Sequence, residues 1–286
     1  MSKILITYFS QGGTTAQVAE YIAFGLRSSG HQVDLCNIKD CQPINLDCYD
    51  LLGIGSPAYF FRPPINVTDY LTSLPSLTGL RSFVFVLYGT YPGDTGNNIR
   101  AALRMKGASE AGYFKCRGAD FYQGYLKEGY LFSPDNPLPS ELSQAKEFGS
   151  NVSAIIAGNK YTQPEFDPPP GFIYRTERFF TNRWLVKKII SRLFWVNRKT
   201  CTTCALCMKQ CPTGNIVANK EGYPLWSRDC ILCQSCEMNC PQEAITSPIS
   251  WAVFKFFILY NVTNASRDTS LDHVRVKHIR GRTTRV

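Results

Sequence analysis

The chain has 286 residues, of which 44% are hydrophobic and 19% are charged, and its formal net charge is +9. This length is sufficient for two domains, one of them with a sizeable core. No run of 18 apolar residues occurs, which excludes a transmembrane helix of ordinary length. The positive charge is confined to the second half of the chain, because residues 160–286 carry 19 Lys and Arg against 9 Asp and Glu, whereas residues 1–159 carry 12 against 13.

The first predicted element is a strand over residues 3–9, whose continuous apolar run is typical of a parallel sheet covered on both faces. A loop of small and polar residues follows, and then a predicted helix with Val18, Ile22 and Leu26 on one face. Such a loop can bind a phosphate group, because its backbone N–H groups and hydroxyls lie at the N terminus of a helix. It is neither a P-loop nor a dinucleotide fingerprint, and the alternative is a simple turn with a good N-cap. The candidate phosphate ligands are Ser10, Gln11, Gly12, Gly13, Thr14 and Thr15.

Two further loops combine glycine with aromatic residues, and they follow strands predicted over residues 51–55 and 82–88. Ligands of open α/β sheets bind at the carboxyl ends of the strands. Core packing is the commoner role of any single aromatic residue, but three such loops favour a flat ligand that carries a phosphate, namely a flavin. Tyr59 and Tyr91 are the main candidates for flanking its ring system. The candidate ligands in these two loops are Ser56, Pro57, Ala58, Tyr59, Phe60, Gly89, Thr90, Tyr91, Pro92 and Gly93.

The remainder of the first predicted domain has strands over residues 32–37 and 111–121, an irregular excursion over residues 122–138 and a helix over residues 139–157. A proline-rich linker follows. Residues 175–198 then mix basic and apolar side chains at a spacing that predicts one amphipathic helix. Packing between domains is the favoured role of this helix, and binding to a membrane surface is the alternative.

The segment from Cys201 to Ile245 contains the pattern C-x₂-C-x₂-C-x₃-C-P twice, with an offset of 29 residues. This is the spacing by which thiolates hold two [4Fe–4S] clusters, the fourth cysteine of each run serving the other cluster. Two zinc sites are the alternative, but zinc has no use for the third C-x₂ step. The predicted first cysteine set is Cys201, Cys204, Cys207 and Cys240, and the second cysteine set is Cys211, Cys230, Cys233 and Cys236.

Four other cysteines lie outside this pattern and are expected to be reduced, buried side chains. They are Cys36, Cys41, Cys48 and Cys116. After the cysteine runs comes an apolar stretch over residues 251–262, which is too short to span a bilayer, and a basic end over residues 275–285. The predicted segments are a flavin-binding domain (1–158), a linker with the basic helix (159–197), a cluster-binding domain (198–247) and an extension (248–286).

The phosphate loop, together with Ala19, resembles the FMN-phosphate loop of flavodoxins, and the cysteine segment resembles a bacterial-type two-cluster ferredoxin. Residues 1–158 and 198–246 together therefore resemble the flavodoxin–ferredoxin fusion family of bacteria and archaea. The resemblance implies a doubly wound α/β domain with a five-stranded parallel sheet in the order 2-1-3-4-5, and a small α+β ferredoxin domain. It also implies FMN, two [4Fe–4S] clusters and low-potential electron transfer. It implies nothing about the basic helix or the extension, which belong to neither module.

The favoured function is an electron relay between the clusters and FMN, to or from a redox partner protein. The alternatives are an enzyme that reduces a small substrate such as a quinone at FMN, and a domain that only binds a partner. No catalytic residue is assigned, because the sequence offers no paired acid and base, positioned histidine or nicotinamide fingerprint. The basic stretches over residues 178–198 and 275–285 predict either an acidic surface on the partner or an anionic membrane face. A nucleic-acid role is not expected, and the expected location is cytoplasmic, in solution or at a membrane surface.

Overall fold

The computed structural model describes residues 1–40, 45–168 and 171–286. The chain forms two compact units. The first, here called the sheet unit, comprises Met1–Ala119 and Asp135–Pro170. The second, here called the cysteine unit, comprises Asp120–Pro134 and Gly171–Val286.

Five strands form the sheet of the sheet unit, namely β1 (Lys3–Tyr8), β2 (Gln32–Asn37), β3 (Leu51–Pro57), β4 (Arg81–Tyr88) and β5 (Ser109–Arg117). They are parallel and lie in the order β2-β1-β3-β4-β5. Three helices connect them, namely α1 (Thr14–Ser28), α2 (Ile65–Ser73) and α3 (Thr95–Met105). A one-turn 3₁₀ helix covers Leu46–Cys48. The predicted fold class and strand order are therefore confirmed, and the interior residues of β1 and β4 are fully buried, as the apolar runs predicted.

Residues 120–134 leave the sheet unit and contribute two elements to the cysteine unit, α4 (Gln123–Lys127) and β6 (Tyr130–Phe132). The chain then returns to form α5 (Pro139–Ile156), which packs on α1. The two helices approach closely because each has a glycine at the contact: a Cβ at Gly25 would lie 2.0 Å from the Lys146 carbonyl oxygen, and one at Gly149 would lie 2.2 Å from that of Ile22. The predicted irregular excursion over residues 122–138 thus contains regular structure, and its residues 122–134 belong to the cysteine unit.

The rest of the cysteine unit consists of short elements around the cysteine runs and a longer C-terminal helix and hairpin. The elements are α6 (Phe172–Phe180), α7 (Arg183–Lys188), β7 (Trp195–Val196), α8 (Leu206–Lys209), β8 (Ile216–Ala218), β9 (Pro224–Trp226), α9 (Ser235–Met238), β10 (Ile245–Thr246), α10 (Ala252–Arg267), β11 (His273–Ile279) and β12 (Arg282–Arg285), with 3₁₀ turns at Ile190–Leu193 and Pro248–Ser250. Strand β7 pairs with β10, β8 pairs with β9, and β11 lies between β12 and β6.

One prediction about this unit is corrected by the structure. The single amphipathic helix predicted over residues 175–198 is wrong, because the helix ends at Phe180 and a new one begins after Asn182, whose side chain accepts a hydrogen bond from the N–H of Leu185 at 2.9 Å. Asparagine favours such an N-cap over the helix interior. Strand β7, which precedes residue 198, pairs with β10, and β11 of the extension pairs with β6.

The cysteines outside the two runs differ from one another. Cys116 is buried and reduced, as predicted, and Cys48 is reduced but exposed. Cys36 is disulfide-bonded, which corrects the expectation that it is reduced. Cys41 lies outside the described residues. In the part of the chain that the structure describes, no helix is both long enough and apolar enough to cross a membrane.

The carboxyl group of Glu177, on α6, predicts a pH-dependent stability. Burial raises its pKa from the usual 4.5 to about 7, and a hydrogen bond from Asn261 on α10 offsets part of that rise. Because the folded chain binds this proton more tightly than the unfolded chain, stability is greatest below about pH 4.5 and falls as the pH rises to about 7, by up to about 3 kcal/mol. We expect Glu177→Gln to remove this dependence, so that the melting temperature of the variant exceeds that of the parent at pH 8 but not at pH 4.5. The exposed Glu147, replaced in the same way, is the control, and a variant that melts like the parent at both pH values would contradict the prediction.

Candidate functional site

The predicted phosphate loop lies between β1 and α1, at the N terminus of that helix. Gly13 is the N-cap of α1 with a φ of 92°, a left-handed conformation that favours glycine, and its N–H donates to Ser10 Oγ at 3.1 Å. The next N–H groups have no acceptor within the helix, as at every helix N terminus. A Cβ added at Gly12 or Gly13 would meet no atom within 4 Å, so the loop leaves open space beside its backbone. Thr15 is 1% exposed and adds a hydroxyl to the first turn of α1.

The loop after β3 is attached to the phosphate loop. The hydroxyl of Tyr59 donates to Gln11 Oε1 at 2.7 Å, and the Tyr59 ring packs edge-on against Phe9, with 6.2 Å between centroids. Phe60 and Phe61 follow with φ values of 51° and 61°. Left-handed backbone at two consecutive bulky residues is strained, and such strain is concentrated at functional sites.

The loop after β4 meets the loop after β3 through the backbone. The N–H of Asp94 donates to the carbonyl oxygen of Phe61 at 2.8 Å, and a Cβ at Gly93 would lie 2.3 Å from that oxygen, so only glycine fits there. Thr90 is buried, whereas Tyr91 is 37% exposed. The hydroxyl of Thr95, at the start of α3, is buried without a hydrogen-bond partner among the described residues.

The structure therefore brings all three predicted loops to one edge of the sheet, because β1, β3 and β4 are neighbours whose carboxyl ends meet there. The open glycine backbone, the hydroxyls and the exposed tyrosine fit a phosphorylated ligand with a flat ring. Sequence reasoning missed two residues at this edge. Asn37 Nδ2 donates to the Ser10 carbonyl oxygen at 3.3 Å, and a Cβ at Gly118 would lie 3.6 Å from Thr14 Oγ1. Asn37 is the last residue of β2 and Gly118 follows β5, and this position at the carboxyl end of a strand is the signal that could have identified them.

The structure brings cysteines of the two runs together within the cysteine unit. One cavity of the cysteine unit is lined by all four members of the first cysteine set, including Cys240 from the second run. In the second cysteine set, the pKa of Cys233 is raised to about 12, mainly by burial and in smaller part by the charges of Cys230 and Cys211. Cys211, from the first run, is thus a neighbour of the second run. The fourth cysteine of each run therefore lies near the cysteines of the other run.

The backbone around the cysteines repeats with the same offset of 29 residues as the sequence. Left-handed conformations occur at Thr203 and Leu232, and again at Ala205 and Gln234. Each fourth cysteine accepts a hydrogen bond from the N–H four residues later, at 3.3 Å in both runs, and the donors are Asn215 for Cys211 and Ala244 for Cys240. Hydrogen bonds to ligand sulfur stabilise the thiolate and are one means by which proteins set the potential of a cluster.

The two cysteine sets differ in their surroundings. Cys204, in the first set, is exposed, whereas Cys230 and Cys236, in the second set, are each 8% exposed. The second set is also covered by the C-terminal extension, since His278 Nε2 lies 3.0 Å from the carbonyl oxygen of Met238 on α9. Glu237, beside Cys236, is buried and forms an ion pair with Lys127.

The donor geometry fits clusters better than single metal ions. Within the described residues, no three His, Cys, Asp or Glu side chains converge closely enough to hold one metal ion. Four thiolates around one zinc would be about 3.8 Å apart, given Zn–S bonds of about 2.3 Å, whereas the iron and sulfide of a cubane separate its ligands further. In addition, the side-chain amide of Asn215 is buried with no acceptor for Nδ2 among the described residues, although its Oδ1 accepts from the N–H of Asp229. A cluster sulfur would supply such an acceptor.

Comparison with protein families identifies both parts of the chain. Residues 5–126 match the profile of the flavodoxin domain, and residues 200–245 match that of the 4Fe-4S dicluster domain. The chain therefore carries a flavodoxin domain at its N terminus and a 4Fe-4S dicluster domain towards its C terminus. These domains indicate FMN, iron–sulfur chemistry and a role in electron transfer.

Individual relatives cover about half of the chain. An uncharacterized protein of Methanocaldococcus jannaschii is 29% identical over 52% of this chain and 97% of its own length. An NAD(P)H dehydrogenase (quinone) of Gluconacetobacter diazotrophicus is 21% identical over 56% of this chain and 87% of its own length. Among solved structures, a flavodoxin from the domain Archaea is similar with a TM-score of 0.43 and 17% identity, covering 54% of this chain and 99% of the flavodoxin.

Proposed function

We propose that this chain relays low-potential electrons between FMN, held by the sheet unit, and two [4Fe–4S] clusters, held by the cysteine unit, to or from a redox partner protein. The observation that carries the proposal is the combination, on one chain, of three ligand loops at one sheet edge and two separate sets of four cysteines. When bound, FMN exchanges one or two electrons and each cluster exchanges one. Such a combination allows single electrons to be collected and delivered as a pair, or a pair to be divided.

The chain's own residues have distinct tasks in this proposal. Thr15 and the first N–H groups of α1 would bind the phosphate, while Tyr59, held by Gln11, and Tyr91 would flank the ring system. The first cysteine set, which reaches the surface at Cys204, would be the side on which electrons are exchanged with the partner. The second cysteine set is sheltered, so its cluster would be protected from solvent.

The partner protein is proposed to present an acidic surface to the cysteine unit. Exposed lysines, Lys199 and Lys209, flank the first cysteine set in sequence, and the unit carries most of the positive charge of the chain. Opposite charges accelerate encounter over distances comparable to the Debye length, about 8 Å at physiological ionic strength.

The composition of the protein purified without oxygen tests the cofactor assignment. We expect about eight iron, eight sulfide and one FMN per chain, since each four-cysteine set would hold one cubane and the sheet edge one flavin. Chemical analysis together with visible and paramagnetic resonance spectra checks this. Zinc in place of iron, a stoichiometry of about four iron, or a sheet unit that does not take up FMN would contradict the assignment.

A second candidate function is reduction of a small substrate such as a quinone at FMN. The relative named NAD(P)H dehydrogenase (quinone) favours it. The two functions respond differently to removal of the clusters. A relay without clusters no longer exchanges electrons with its partner protein, whereas a quinone reductase continues to turn over quinone from chemically reduced FMN. Quinone turnover by a cluster-free variant at the rate of the intact protein would favour the second function.

A further inference from the structure

Three helices of the cysteine unit expose a group of large apolar side chains, here called the aromatic patch. Its members are Phe179, Phe180, Trp184, Phe256, Leu259 and Tyr260, on α6, α7 and α10. Phe179 and Phe256 are 66% and 67% exposed, and Trp184 is 63% exposed. Such exposure is unusual for large apolar residues when it recurs on adjoining elements.

Ring contacts join α6 and α10 into one surface. Phe180 packs against Phe254 and Phe257, with centroids 5.8 Å and 6.4 Å apart, and Phe179 and Phe256 each pack on a ring of this group. The contact is reinforced by the hydrogen bond from Asn261 to Glu177. The exposed rings therefore belong to two helices that pack against each other through aromatic side chains.

Helix α10 is apolar on its outer face as well as on its inner face. Among the side chains of α10 that the structure describes, the buried ones are Ile258, Val262 and Ala265, which form one stripe. Phe256, Leu259 and Tyr260 point away from that stripe and are exposed. A surface helix ordinarily has polar residues on the face opposite its buried stripe, so the outer face of α10 has the composition of a surface that contacts an apolar medium.

The charges around the aromatic patch are predominantly positive. Residues 172–196 contain six Lys and Arg and one acidic residue, Glu177, which accepts a hydrogen bond from Asn261. Arg178, Arg183, Lys188 and Arg192 are exposed, and so is Lys255 on α10, which forms an ion pair with Glu128 at 3.7 Å. Exposed aromatic rings bordered by long cationic side chains are typical of helices that lie in the interface of an anionic bilayer, with the rings among the acyl chains and the cations at the phosphates.

We propose that the cysteine unit binds to the surface of an anionic lipid bilayer through the aromatic patch and its basic border. Helix α10 has 16 residues, a length of about 24 Å, which is shorter than the roughly 30 Å of a bilayer core. It would therefore lie parallel to the surface. The proposal does not depend on the electron-relay function, and it would place the cysteine sets next to a membrane.

Vesicle flotation of the holoprotein tests this proposal. The probes are phosphatidylcholine vesicles with and without a minority of phosphatidylglycerol. We expect flotation with the phosphatidylglycerol vesicles, weakened by salt, and much less with phosphatidylcholine alone. The variant F179S/F256S should weaken binding at least about tenfold, because it removes two aromatic rings whose transfer from water into the bilayer would favour binding. The variant K188E/R192E should weaken it to a similar extent while leaving the aromatic patch intact.

Matched controls lie in the same unit outside the patch. Leu225→Ser removes an apolar side chain that is 52% exposed on the β8–β9 hairpin, and Lys220→Glu reverses an exposed charge nearby. Both should bind vesicles like the parent, and unchanged cluster spectra establish that each variant is folded. The proposal is overturned if the parent does not float with phosphatidylglycerol vesicles, or if the patch variants bind as the controls do. It is also overturned if the patch variants dissociate a dimer in solution while vesicle binding remains unchanged, since the patch would then be a protein interface.

Discussion

A variant in which Cys211 is replaced by serine is expected to lose the cluster of the second cysteine set and to keep that of the first. Cys211 belongs to the first run in sequence, but in the fold its charge acts on Cys230 and Cys233 of the second run. Loss of one of four thiolates destabilises a cubane, so the second cysteine set is expected to lose its cluster. About four intact iron per chain, with the paramagnetic resonance signal of the first cluster unchanged after reduction, is the expected result.

Two further variants control this experiment. Cys240→Ser should produce the reverse effect, because Cys240 lines the cavity of the first cysteine set. Cys48→Ser should change neither cluster, since Cys48 is a free, exposed cysteine of the sheet unit. If Cys211→Ser removed only the signal of the first cluster, each run would hold its own cluster and the crossed arrangement would be refuted.

A Thr15→Val variant is expected to bind FMN about 10- to 100-fold more weakly, with both clusters intact. The substitution preserves the shape of a side chain that is 1% exposed, so packing is retained, and it removes only the hydroxyl at the start of α1. Hydrogen bonds to charged groups contribute about 1.5–3 kcal/mol. Fluorescence titration of the FMN-free protein measures the affinity, and Thr72→Val, on the exposed surface of α2, is the control.

Substitutions of the two glycines extend this experiment. Gly12→Ala places a methyl group where no protein atom lies within 4 Å, so weaker FMN binding by this variant would report a clash with the ligand rather than damage to the loop. Gly13→Val is expected to weaken binding further, because a φ of 92° strains any side chain. Unchanged affinity in both Thr15→Val and Gly13→Val would count against the phosphate assignment.

The sheet unit could be predicted from the sequence because its signals are local. Continuous apolar runs predicted β1 and β4, and the small-residue loop after β1 predicted the start of a helix. Once parallel pairing is accepted, the loops after β1, β3 and β4 must meet at one edge, and the structure places them there. The position of the predicted ligand loops could therefore be predicted without knowledge of contacts between distant parts of the chain.

The contribution of residues 120–134 to the cysteine unit could not be predicted in this way. Strand β6 has three residues, and it pairs with β11 more than 140 residues later in the chain. No pattern in the sequence around either strand indicates that the two strands pair. Likewise, the basic and apolar spacing over residues 175–198 fits a helix, but the N-cap at Asn182 decides that there are two. The apolar pattern of α10 does not show which of its faces the chain covers, and only the fold reveals that the outer face remains exposed.

The central claim is that electrons pass between FMN and the clusters within one chain. Flash reduction of FMN in the oxidised holoprotein, followed by the absorbance of the clusters, measures this passage directly. An internal relay predicts a first-order transfer whose rate does not change when the protein concentration is raised. When FMN has received two electrons, the amplitude should fall by about half in the Cys211→Ser variant, because one cluster is left to accept one of them. A rate proportional to protein concentration, or reduced FMN that persists beside oxidised clusters, would contradict the account.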